Sequence, residues 1–215
     1  MSTSSDTNTE PPAAADTRLV DLIQVYDDAL PTALCAKIID LFEADPDGQF
    51  RRAKQNTWTE YTITRRANPE WADIERKLIN CMLQHLKEYA RMPAARILGR
   101  NAPRAFEQFM MKKYDSERAE PDHFPQHVDA YDIHSAVRLL GFLWYLNDLD
   151  EGGETEFSDL GVSIPPRAGR LVVLPPMWMY PHDGRPPVSG PKYIITSYLN
   201  FRDADDDVRF AYPLR

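Results

Sequence analysis

The texture of this chain changes at Ala105, and that change constrains the fold more than any single motif. Beyond it, short runs of β-forming residues alternate with turn signals: Ala105–Tyr114, His127–Tyr131, Val137–Asn147, Glu154–Phe157, Gly161–Ile164, Leu171–Leu174 and Lys192–Phe201. Proline pairs (Pro165-Pro166, Pro175-Pro176, Pro186-Pro187) fall between the runs, where a missing N–H costs no ladder hydrogen bond. Short strands at such spacing close into an antiparallel barrel or jelly roll. Before Ala105 the pattern is mostly helical. Leu19 to Tyr26 reads as a short strand. A helix then follows Pro31, with Leu34, Ile38, Leu41 and Phe42 at helical spacing. Asp45 to Gly48 is a turn. Asn68 can cap a second helix that Pro69 opens, and Trp71, Ile74, Leu78, Met82, Leu86 and Tyr89 form its buried stripe, up to a stop at Pro93. The expectation is an α+β fold: a double-stranded β-helix (jelly roll) core with supporting N-terminal helices.

At 215 residues the chain can build one well-cored domain and is short for two. A Ser/Thr/Pro/Ala-rich start reads as a disordered tail over residues 1–17. One domain is expected over 18–215, with helical support over 18–100 and the jelly-roll core over 105–201. A net charge of −8 argues against a nucleic-acid partner, which usually meets a basic face. No apolar run reaches the roughly 20 residues that span a bilayer, and the start lacks the basic and apolar segments of a signal peptide. Cys35 and Cys81 sit in helical stretches outside any C-x-x-C pair, which suits free buried thiols in a reducing compartment. These features point to a cytoplasmic protein.

Chemistry concentrates in the β region. His127 and Asp129 form an H-x-D pair, whose side chains share one face if the segment is extended. His182 falls between two later β runs. Two histidines and one carboxylate, with other positions open, suit non-haem Fe(II) and oxygen chemistry. The remaining histidines are competitors that the local sequence disfavours. Pro121 and Pro125 prevent a helix from aligning His123 with His127, His134 follows Asp132 in a polar loop, and His85 lies off the stripe of its helix, where solvation is expected. No H-E-x-x-H zinc motif appears.

Lys192 lies ten positions beyond His182. Extended from Lys192, Ile194, Thr196 and Tyr198 share its face, and a lysine buried on such a wall needs a counter-charge. The run Gly152-Gly153-Glu154-Thr155-Glu156-Phe157, then Pro165 to Gly169, then His182, then Gly190-Pro191-Lys192-Tyr193-Ile194-Ile195-Thr196 resembles the prolyl 4-hydroxylase branch of the 2-oxoglutarate- and Fe(II)-dependent dioxygenases. The resemblance spans roughly Ala105 to Phe201. It implies Fe(II) held by His127, Asp129 and His182, with 2-oxoglutarate and O2 as cosubstrates and ascorbate as an optional reductant. It also implies that Lys192 meets the distal carboxylate of 2-oxoglutarate, with Thr196 beside it. Tyr114 and Tyr145 look like further cosubstrate contacts, and they read equally as core aromatics with satisfied hydroxyls. Phe124 stands where many relatives carry tyrosine. Asp129 favours hydroxylation over halogenation, since halogenating relatives replace this carboxylate with a small residue.

The substrate is less defined. The polar, basic stretch from Phe50 to Arg66 carries Arg51, Arg52, Lys54, Arg65 and Arg66 around Trp58 and Tyr61. In the resembling family such loops fold over the active-site mouth, so Trp58, Tyr61 and Arg65, with Tyr198, are candidate substrate contacts. A solvated basic loop is the alternative. Three functions stand: hydroxylation of a prolyl residue in a protein or peptide, hydroxylation of a free amino acid or natural-product small molecule, and a non-catalytic jelly-roll binding module.

Overall fold

The computed structural model describes residues 16–53, 57–96, 98 and 105–201. Along the chain run β1 (Gln24–Tyr26), α1 (Thr32–Glu43), β2 (Phe50–Ala53), β3 (Thr57–Thr62), α2 (Pro69–Tyr89), β4 (Ala105–Phe106), β5 (Met110–Tyr114), β6 (Phe124–His127), β7 (Arg138–Tyr145), β8 (Thr155–Phe157), β9 (Val162–Ile164), β10 (Leu171–Leu174), β11 (His182–Gly184) and β12 (Lys192–Asn200). They form a jelly-roll-like sandwich. The larger sheet has the order β1-β10-β7-β12-β5-β3-β2, with β4 pairing the end of β12, and the smaller has the order β6-β11-β8-β9.

Strand alternation divides the larger sheet cleanly. On one face Met111, Phe142, Trp144, Leu171, Val173, Ile195 and Leu199 pack with Ile38 and Phe42 of α1 and with Trp71, Ile74, Leu78 and Met82 of α2. On the other, Trp58, Tyr114, Tyr145, Val172, Leu174 and Ile194 pack with Phe157 and Ile164 of the smaller sheet. The helices therefore back one face while the second sheet covers the other, and the site lies between the sheets. Asn68 caps α2 by accepting a hydrogen bond from the Glu70 N–H at 2.8 Å, and Pro69 occupies the first turn. Cys35 and Cys81 are free and buried.

Several local expectations are corrected. Leu19 to Leu22 is a 3₁₀ turn, held by Asp21 accepting from the Arg18 N–H at 2.9 Å, and only Gln24–Tyr26 joins the sheet. His85 is buried: its ring lies against Tyr26 and its Nδ1 donates to the Cys81 carbonyl at 2.8 Å. Phe50–Ala53 and Thr57–Thr62 are antiparallel paired strands, not loop, and the strand at His127 ends there, having begun at Phe124. The expected tail lies outside the described residues except for Asp16 and Thr17, as does Lys54. Among the described residues no helix is long and apolar enough to cross a membrane.

Candidate metal centre

His127 ends β6 and His182 opens β11, and the two are paired across the smaller sheet. His182 thus lies within a strand, not between strands. The polar His182-Asp183-Gly184 segment carries no alternating apolar pattern to announce it. Asp129 follows β6 on a loop whose Ala130 N–H donates to the Pro176 carbonyl at 2.9 Å. One ligand atom from each of His127, Asp129 and His182 lies within 4.8 Å of the other two. Pairing between strands and the loop anchor produce this convergence, rather than alternation along one strand.

The tautomers follow from the backbone. His127 Nδ1 lies 2.9 Å from the Pro125 carbonyl and His182 Nδ1 lies 3.0 Å from the Tyr180 carbonyl. A carbonyl only accepts, so both Nδ1 atoms carry the proton and both Nε2 lone pairs point inward. Those Nε2 atoms stand 3.5 Å and 3.8 Å from the Asp129 carboxylate oxygens. Acceptors face acceptors, an arrangement that a cation relieves. The donor set fits iron. Tyr198 donates its hydroxyl to Asp129 Oδ1 at 2.7 Å, fixing the carboxylate. Burial opposes ionisation of Asp129, and the hydrogen bond donated by the Tyr198 hydroxyl favours it. Burial pushes the His182 imidazole below its ordinary value, which keeps it neutral and able to ligate.

Next to the triad lies an inner chamber walled by Tyr114, Leu143, Thr155, Leu174, Ile194 and Thr196, with Lys192 also in its lining. Lys192 is 2% exposed. Its Nζ donates to the Gly153 carbonyl at 3.0 Å and lies 4.5 Å from the Tyr114 ring centre. Burial pulls this ammonium down to about 7, against the raising influence of Glu154. Gly153 has φ +76°, and a Cβ there would meet Leu149 at 2.7 Å and the Lys192 stem at 3.2 Å. Glycine is thus required both for the turn and for the lysine's course.

An outer cavity of about 360 Å³ opens beside the triad, lined by Trp58, Glu60, Met110, Lys112, Phe124, Tyr131 and Arg138 among others. It shares Lys112, Phe124, His127, Asp129, Thr196 and Tyr198 with the inner chamber. Phe124 stacks on His127 with ring centres 3.6 Å apart.

The structure distributes the other candidates unevenly. Tyr114 and Thr196 line the inner chamber, and Trp58 and Tyr198 line the outer one. Tyr145 lines neither. Its hydroxyl lies 2.5 Å from Thr155 Oγ1 and donates to the Ile164 carbonyl at 3.1 Å, so it is a satisfied core tyrosine. Tyr61 faces the helices, 1% exposed, and donates to Asp45 at 2.6 Å, because it lies at odd spacing from Trp58 on β3. Arg65 is exposed in the turn before α2 and lines neither cavity. The basic flap is also largely neutralised: Arg51 grips buried Asp122 through two contacts of 2.6 Å, Arg52 pairs with Glu60 at 2.8 Å, and Arg66 reaches Asp45 at 3.4 Å. Lys112 and Arg138 were not singled out by sequence. The signal for Lys112 was available, since it alternates with Tyr114 on β5.

Residues 109–200 match the sequence model described as the 2OG-Fe(II) oxygenase superfamily. No curated protein matches the chain. Among solved structures it is similar to a viral collagen prolyl hydroxylase from Paramecium Bursaria Chlorella virus-1 in a 2OG complex (19% identity, 85% of this chain and 97% of that chain, TM-score 0.61). It is similar to a Pseudomonas putida prolyl-4-hydroxylase (18% identity, 85% and 94%, TM-score 0.64). It is also similar to a Trichoplax adhaerens prolyl hydroxylase in complex with a hypoxia inducible factor oxygen degradation domain peptide fragment (15% identity, 83% of each chain, TM-score 0.65). Those structures share its fold.

Proposed function

We propose that this 2-oxoglutarate- and Fe(II)-dependent dioxygenase hydroxylates an unactivated C–H bond, that of a prolyl residue in a protein or peptide being the leading target. The convergence of three lone-pair donors beside two adjoining chambers carries the reading. In this reading His127, Asp129 and His182 hold the iron. Bound there, iron would activate O2, the oxidant, which takes two electrons from 2-oxoglutarate, released as succinate and CO2, and two from the substrate C–H.

The chain's own residues do the rest. The Pro125 and Tyr180 carbonyls fix each imidazole's orientation and aim its Nε2 at the centre of the site. Tyr198 orients Asp129. Lys192 anchors the distal carboxylate of 2-oxoglutarate, with Thr196 and Tyr114 shaping the channel, and the apolar walls of Leu143, Leu174 and Ile194 exclude water. Lys192 stays protonated when a carboxylate meets it, since an opposite charge favours the charged form. The primary substrate occupies the outer cavity against Trp58 and Phe124, whose volume lies within the roughly 300–1,000 Å³ of ordinary ligand pockets. The Trichoplax relative's complex with a peptide fragment supports a peptide here.

The test is direct. Purified protein with Fe(II) and 2-oxoglutarate is expected to form succinate, and Asp129→Ala to lose that turnover. Proline peptides and free amino acids are then compared by a mass gain of one oxygen. Absence of any succinate from the wild-type protein with every mixture overturns the reading and favours a non-catalytic binding module.

A further inference from the structure

Two consecutive lysines on β5 meet opposite fates. Lys113 faces the helices, where Glu43 pairs with it at 2.7 Å. Lys112 faces the cavities and lines both. Its direct cross-strand neighbour is Glu60, yet that carboxylate is turned to Arg52 at 2.8 Å and to the Trp58 indole N–H at 3.2 Å. Among the described residues no carboxylate pairs with the Lys112 ammonium. Its Nζ lies 5.2 Å from the Trp58 ring centre and 5.6 Å from that of Phe124, and Asp129 and Glu60 act on it only from beyond ion-pair distance. The other cation of this wall, Arg138, is spent on Glu107 at 2.7 Å and 2.9 Å and on the Asp129 carbonyl at 2.7 Å.

Pairing then sets one group apart. In the inner chamber Lys192 and Asp183 line the wall beyond Asp129. Arg52 with Glu60, and Arg138 with Glu107, cancel in the outer cavity. Lys112 stands at the junction of the two cavities, partly withdrawn from water, with no carboxylate of the described residues at ion-pair distance. Such a group is costly unless an anion meets it.

We propose that Lys112 is a specificity residue that binds a carboxylate of the primary substrate in the outer cavity, alongside the packed Trp58 and Phe124 rings and close to the metal ligands. The substrate is therefore an acid: a free amino acid, or a peptide with an acidic group next to the hydroxylated residue. This rests on the oxygenase reading above and narrows it.

The experiment uses matched acids and amides. Free proline, leucine and phenylalanine are compared with their carboxamides, and N-acetylated Ala-Pro-Asp-Ala amide with its Asn counterpart. Binding is titrated calorimetrically to the full chain loaded with Mn(II) and 2-oxoglutarate, and hydroxylation is measured with Fe(II). At least one acid is expected to bind about tenfold tighter than its amide, and whether that acid is free or peptidic tells the source. Lys112→Met and Lys112→Gln are expected to bring the ratio near one, and Lys112→Arg to keep most of it. Equal response to acid and amide, or to neither, overturns the proposal, as does a ratio that survives in Lys112→Met. A Lys112→Met defect confined to 2-oxoglutarate affinity overturns it too, by assigning the lysine to the cosubstrate. Wild-type protein that forms succinate but ignores the acids sinks only this inference; one that forms none sinks the oxygenase reading itself.

Discussion

Tyr198 and Lys192 project from one face of β12 and serve opposite ends of the site, one touching a ligand carboxylate and the other the far wall. A hydrogen bond to a charged group is worth about 1.5–3 kcal/mol, and loss of a partner to a metal ligand typically lowers metal affinity about 10–100-fold. Tyr198→Phe is therefore expected to weaken Fe(II) or Mn(II) binding by that order, read by metal titration, with the fold intact. Lys192 yields a pH signature. Its folded value of about 7 lies below the unfolded lysine value, so between these the unfolded chain binds more protons and stability rises with pH. The gain is bounded at about 1.4 kcal/mol per pH unit. Urea unfolding of the ligand-free protein between pH 7 and 9.5 is expected to show a steeper rise in the wild type than in Lys192→Met. Equal slopes would mean that the ammonium is solvated.

At the scale of elements, β3 joins β2 to the sheet by pairing with β5, and beside the outer cavity Arg51 of β2 also grips Asp122. Asp122 is fully buried and also accepts from the Asp115 N–H at 3.0 Å. Removing the carboxylate leaves a half-buried guanidinium and a backbone donor unpaired. Asp122→Ala is expected to cost about 2–3 kcal/mol, below the usual 3–5 for a wholly buried pair because Arg51 keeps some solvent. Hydrogen exchange should rise along β2 and β3 before α2, and uniform loss of protection would contradict a local role. The helices carry stability of another kind. Leu78 is fully buried on the α2 stripe, and Leu78→Ala is expected to cost about 2–5 kcal/mol in chemical unfolding, with metal affinity unchanged.

For the whole molecule, the site joins the two sheets: His127 and His182 come from the smaller, Lys192, Thr196 and Tyr198 from the larger. Ligands that bind only when the sheets are assembled stabilise the fold by mass action, about 2.7 kcal/mol at a hundredfold excess over Kd. Mn(II) with 2-oxoglutarate is expected to raise the melting temperature by roughly 5–10 °C for a chain of this size, and chelation to reverse it. Most of the order of secondary structure was legible in the sequence, because strand alternation, helix stripes and proline turns act over a few residues, and the H-x-D pair with the family resemblance pointed to His127, Asp129 and His182, which the fold brings together. The paired strands Phe50–Ala53 and Thr57–Thr62, the strand at His182 and the burial of His85 were not, since their residues are polar and their partners distant. Tertiary structure alone decided which charges are answered. Arg51 finds Asp122 across 71 positions of chain, Tyr145 spends its hydroxyl on Thr155 while Tyr198 turns to Asp129, and Lys112 is left without an acid although Glu60 lies directly across. Pairing of that kind depends on the register between strands far apart in sequence, and no local pattern encodes it.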